Sequence, residues 1–198
     1  MLATMAQPVD LRAQLAIGRS AFDVGRVSEI SEWICDHPRR IPRLIELMWD
    51  DEPGVASRAA DVLERIMRQP SPALGRAVSG HKNALIGLLS EAQLPKVRWN
   101  LALTIPRIEL TVPECRRVAS VLRTWFDDRS SIVKAAALHG TAELTRQDPA
   151  SLPGVLDLLR AAGRSGTTAM RARSRILLKK LERPPEAHRP HSGLHLFG

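Results

Sequence analysis

The sequence predicts an all-α chain built as an α-solenoid of about five antiparallel helix pairs, with no sheet. Three observations carry that expectation. Four segments line up on an apolar anchor: VASRAADVLERI from Val55, VRWNLALTIPRI from Val97, VKAAALHGTAEL from Val133 and MRARSRILLKKL from Met170. The anchors lie 42, 36 and 37 residues apart, and each segment closes eleven residues on with Ile66, Ile108, Leu144 or Leu181. Before each segment runs a second apolar helical stretch, and no stretch alternates apolar and polar residues at period two. Units of this size cannot bury their apolar faces alone, so neighbours must stack and share a core.

The elements follow in chain order. Residues 9 to 36 suit one irregular pair, with helices over Asp10 to Ser20 and Val24 to Asp36. The first full repeat spans 40–68: PRLIELMWD, an acidic turn ending in Pro53-Gly54, then the Val55 segment. The longer gap that follows suits an extra short turn around PSPALGRAVSG, residues 70 to 80. The next repeat, 81–109, pairs NALIGLLSE with the Val97 segment, in which Pro106 removes one backbone hydrogen bond and should bend the helix. The repeat over 114–147 opens at Pro113 and carries Ser130 and Ser131 as candidate caps. The last, 151–183, has Thr167 and Thr168 in the same place. Two prolines after Arg183 stop the final helix, and 184–198 reads as a disordered tail. Residues 1–183 thus form one helical-repeat domain.

Composition agrees with this and excludes several classes. The chain has 198 residues, 44% hydrophobic and 25% charged, with four Trp, three Phe and no Tyr. No run reaches the ~18 apolar residues of a membrane span. The opening MLATMAQPVDLRAQLAIGRS has no basic region followed by an apolar core, so no signal peptide is expected. Cys35 and Cys115 have neither metal nor redox spacing, and reduced thiols in a cytoplasm are the expectation. No cofactor is expected: there is no Gly-rich phosphate loop, and His188, His191 and His195 crowd a Pro-flanked stretch that offers no fixed cage.

The net charge is +8, unevenly spread. From Asp23 to Glu64 there are ten acidic and five basic residues, a net of −5, whereas Arg160 to Arg183 carries eight basic residues against Glu182 alone, a net of +7. The cations Arg171, Arg173, Arg175, Lys179, Lys180 and Arg183 are the candidate contacts for an anionic partner. A polar outer face on a capping repeat is the plainer reading, but it does not require one sign of charge.

DDEPGVASRAADVLERI and DDRSSIVKAAALHGTAEL resemble the HEAT-repeat pattern: an acidic turn, then Val, a basic position, small residues and a closing aliphatic. The resemblance covers roughly residues 40 to 183. It implies a right-handed superhelix used mainly to bind other macromolecules, with ion pairs laddered between repeats. Arg98, Lys134 and Arg171 match the basic position after the anchor, and Asp50 and Asp128 match the turn acid. Ala56, Ala92 and Ser165 depart from the pattern.

On Arg98-Trp99, a spacing of about 100° per residue puts Val97, Leu101, Ile105 and Ile108 on one stripe and Trp99, Leu103 and Pro106 on the opposite one. A helix apolar on two faces suits the interior of a stack, so a neighbouring repeat is expected to cover Trp99. The function expected is a non-enzymatic scaffold for a protein partner. Nucleic-acid binding through the basic terminal helix is the alternative. A HEAT-type DNA glycosylase, with Trp99, Trp125 and Asp127 or Asp128 in its groove, is a weaker one, because Asp128 reads as a turn acid and Trp125 shares core spacing with Val118, Val121 and Leu122.

Overall fold

The computed structural model describes residues 10–20, 23–68 and 70–182. Every regular element among them is helical: eleven α-helices with short 3-10 turns and no strand. None is long and apolar enough to cross a membrane.

The chain opens with α1 (Leu11–Ala16), capped by Asp10, whose carboxylate accepts from the backbone N–H groups of Arg12 and Ala13. This helix is shorter than the sequence suggests. It stops at Ala16 because the chain turns through Gly18 and Gly25, both at positive φ. Then come α2 (Val27–Asp36), α3 (Ile41–Glu46) and α4 (Pro53–Met67). The segment around PSPALGRAVSG is a helix of its own, α5 (Pro72–Ser79), rather than a turn. Ser71 caps it and Pro72 supplies a first residue already at helical φ.

After α6 (Lys82–Glu91) comes α7 (Pro95–Thr104). Pro106 does not bend this helix; the helix ends at Thr104 and Pro106 sits in a 3-10 turn, Ile105–Arg107, leaving Ile108 extended. A capping box starts α8 (Val112–Thr124): Thr111 accepts from Glu114 N–H, and Glu114 accepts from Thr111 N–H. Ser130 caps α9 (Ser131–Leu144) and Thr167 caps α11 (Thr168–Leu181), with α10 (Leu152–Ser165) between them.

Four helices form a row of contacts, α4 on α7, α7 on α9 and α9 on α11. The preceding helices α3, α6, α8 and α10 each touch the next member of that row, and α1 and α2 both pack on α4. The anchors Val55, Val97, Val133 and Met170 are all buried, and the residues four positions on, Ala59, Leu101, Ala137 and Ser174, are each 0% exposed. Burial of a Val, Leu or Met side chain such as these anchors contributes about 1.5–3 kcal/mol. One core runs from Leu11 to Leu144, and a second joins α9, α10 and α11 through Leu138, Val155, Leu159 and Leu177. At the α7–α9 crossing a Cβ on Gly140 would lie 2.3 Å from the Ala102 carbonyl oxygen, so glycine there sets how closely the two backbones approach.

Arg58 holds the N-terminal helices to this row. It is 1% exposed, and its guanidinium donates to the carbonyls of Leu15, Ala16 and Ser20. Those carbonyls lie at the C-terminal end of α1 and just beyond, where a cation is favoured. Gly18 and Gly54 leave the room it occupies; a Cβ on either would lie within 2.6 Å of a guanidinium nitrogen.

Candidate functional site

The anchor register brings a second set of positions onto one face of the row. Positions two and six after the anchor are Trp99 and Leu103 on α7, Ala135 and His139 on α9, and Ala172 and Ile176 on α11. All but His139 line an open groove of about 400 Å³, together with Ile132, Ala136, Ala169 and Arg173. Ile132 is 54% exposed and Ile176 is 62% exposed. Trp99 is therefore only partly covered. It is half-buried, with one side packed on the core and the other facing this groove. The reason is local. Its neighbours along the register are alanines, too small to reach across the indole.

Trp99 and Leu103 also border a second, more polar hollow, lined by Val24, Val27, Asp61, Glu64, Arg65, Arg68, Lys96 and Asn100. Its acids are engaged from within. Asp61 meets Lys96 at 2.7 Å and accepts from Asn100 at 2.7 Å. Glu64 meets Arg68 at 2.6 Å and Arg107 at 3.0 Å. Burial works against the Glu64 charge, yet those two guanidiniums hold its carboxyl below the usual range. On the far side Glu143 meets Lys180 at 2.5 Å and Arg146 at 3.4 Å. It too stays below the usual range against the cost of burial, chiefly through Lys180. His139, 4.0 Å from Glu143, is pushed down by burial despite that carboxylate, with Arg173, Arg107 and Lys180 adding to the shift.

The ladder residues fall in different situations. Arg98 reaches Asp128 at 2.5 Å, donates to Ala92 O at 2.7 Å, and lies over the Trp125 ring at 5.7 Å. Asp50 is taken by Arg12 at 2.7 Å. Arg12 directly follows the buried Leu11, as Arg98 follows Val97. Between α4 and α7 the corresponding positions are Ala56 and Ala92, both buried. Lys134 is half-buried and has no ion pair among the described residues.

The terminal cations differ in their surroundings. Arg173 turns into the groove, Lys180 pairs with Glu143, and Arg171 donates to Gly166 O at 2.7 Å. Arg175 and Lys179 are exposed, and Arg183 lies outside the described residues, as do His188, His191 and His195. The trio imagined for a glycosylase is also dispersed. Trp125 is buried beneath Arg98, Asp128 is bound to Arg98 and to Ser130 N–H, and neither lines a hollow beside Trp99.

Cys35 is exposed and Cys115 buried, and both are free thiols. No cluster of three His, Cys, Asp or Glu among the described residues is placed to hold a metal ion. Sequence reasoning missed Arg12, Arg58, Ile132 and Ile176. Ile176 was legible as an aliphatic lying off the Met170, Ser174, Leu177 and Leu181 stripe, and Arg12 as a basic residue after an apolar anchor. Comparison of the chain with protein-family models, curated proteins and solved structures gave no match.

Proposed function

We propose that this chain is a right-handed α-solenoid of the HEAT type, with antiparallel helix pairs, and that it binds a protein partner without catalysing a reaction. The row from α4 to α11 and the Arg98–Asp128 pair between successive repeats support the architecture. The observation that carries the binding reading is the open apolar groove, with Ile132 and Ile176 more than half exposed beside Trp99. Contiguous apolar surface rimmed by polar groups costs solubility, and marks a place where another surface belongs. The reading places the protein in a cytoplasm, where Cys35 and Cys115 stay reduced.

The test is affinity capture with the wild-type chain and with Ile132→Asp/Ile176→Asp. A discrete protein should come down with the first and be lost with the second. Equal capture by both contradicts this use of the groove.

A second reading is favoured by Arg175 and Lys179, which are exposed and carry no ion pair among the described residues. Nucleic-acid phosphate would then bind along α11, with steep salt dependence. Mobility shift at low salt decides it, comparing wild type with Arg171, Arg175 and Lys179 changed to Glu. Equal shifts by both proteins rule it out.

A further inference from the structure

We infer that the groove across α7, α9 and α11 is shaped for one amphipathic α-helix of an acidic partner. This rests on the protein-binding reading and adds the conformation and charge of what binds. The floor is apolar: Trp99 and Leu103 on α7, Ile132 and Ala135 on α9, Ala172 and Ile176 on α11. Helix axes in contact lie about 8–10 Å apart, so crossing from α7 to α11 takes roughly 18 Å, the length of about twelve residues of helix. That is enough for four apolar side chains at helical spacing on one face.

The backbone of the groove argues against an extended peptide. Its walls are helices, whose N–H and C=O groups bond within the helix apart from the first turns at Ile132 and Ala169, and no strand edge is there to pair with. An extended segment would bring unpaired polar backbone onto an apolar floor, at a cost for each group. A helix arrives with those bonds already made.

Charge sets the sign of the partner. Asp61 and Glu64 in the adjoining hollow, and Glu143 on α9, are each already held by cations. Arg65, in the hollow beyond Trp99, and Arg173, on the α11 wall, have no carboxylate partner among the described residues. Arg65 lies past the Trp99 and Leu103 edge that the two hollows share, and Arg173 lies on the α11 side. A helix with Asp or Glu flanking its apolar face satisfies both; a basic helix would meet repulsion at both. Between those two arginines the floor offers no row of cations for phosphates, so nucleic acid fits this surface poorly.

The experiment is selection on the whole chain from a displayed library of single-helix peptides, followed by fluorescence anisotropy of the recovered peptides. Recovered peptides should carry aliphatic or aromatic residues at helical spacing between acidic ends. Their affinity should fall on the order of tenfold or more for Ile176→Asp. It should also fall for Arg173→Glu, and exchanging Glu for Lys in the peptide should restore binding to that variant. Both positions are solvent-accessible, and helix content and Tm confirm that each variant folds. Binding indifferent to Ile176→Asp overturns the groove while leaving protein binding standing. Recovery of Lys- and Arg-rich helices overturns the charge assignment. Recovery of no peptide overturns the proposal, and if a duplex DNA probe shifts instead, the protein-binding reading falls with it.

Discussion

Arg58 brings a full charge into a site 1% exposed and meets it with backbone carbonyls. Arg58→Met should cost on the order of 3 kcal/mol, because the carbonyls of Leu15, Ala16 and Ser20 would lose their donor where water cannot easily replace it. Hydrogen exchange should then rise in α1 first; unchanged protection there would show that α1 is held by its leucines alone. Ser174 is the opposite case. It is 0% exposed and its hydroxyl has no partner, at a position where the other repeats carry Ala59, Leu101 and Ala137. Ser174→Ala should therefore raise stability by about 1 kcal/mol, read from denaturant unfolding. A loss would mean that the hydroxyl has a partner the geometry conceals. The misfit of Ser174 is legible from the aligned segments. The role of Arg58 is not, because its partners are carbonyls 38 to 43 residues away, and carbonyls leave no mark in a sequence.

Elements here are tied by pairs that each bridge two of them. Arg98 on α7 and Asp128 before α9 are one such pair, with side chains 24% and 5% exposed. A double-mutant cycle through Arg98→Ala and Asp128→Ala should show a coupling of roughly 1 kcal/mol, more than most fully exposed pairs because Asp128 is shielded and Trp125 stacks on the guanidinium. No coupling would reduce the pair to a surface contact. Acid should loosen the elements in two stages. His139 is held below its ordinary 6.5, so below that pH the unfolded chain takes up a proton that the folded one resists, and stability begins to fall. Glu64 and Glu143 are held below their ordinary 4.5, and Glu114 is held down to about 2 by Lys82 and the Thr111 N–H. Stability from these carboxylates is complete above 4.5 and lost as pH falls through their lowered values. Tm should decline gently below pH 6.5 and steeply below 4.5, and His139→Gln should abolish only the first stage. A Tm flat down to pH 4.5 in the wild type would contradict the role given to His139. At this scale the caps Ser130 and Thr167 and the turn acids could be read from the chain. The stop at Ala16 could not, and the helix α5 could be read only by weighing competing signals. The first depends on how Arg58 fills the space beside Gly18. The second depends on a serine cap and a proline start, which outweigh the turn-like look of PSPALGRAVSG.

For the whole molecule, the row of anchored helices was legible because burial repeats at a fixed register, and only helices satisfy that register throughout. The groove was legible in part. Trp99 and Leu103 stood out as a second apolar stripe, but whether the stripe is covered depends on the side chains opposite. Ala135 and Ala172 are small enough to leave it open. Of the cations on the terminal helix, Arg173 lines the groove and Lys180 pairs with Glu143, while Arg171, Arg175 and Lys179 stay exposed. The most direct measurement of the central claim is photo-crosslinking in the cells that make the protein. A photoreactive amino acid replaces Ile132, Ile176 or, as a control on the exposed side of α8, Arg117. A discrete protein crosslinked from positions 132 and 176 but not from 117 is the result predicted here. The same crosslinks from 117, or crosslinks to nucleic acid alone, would contradict it.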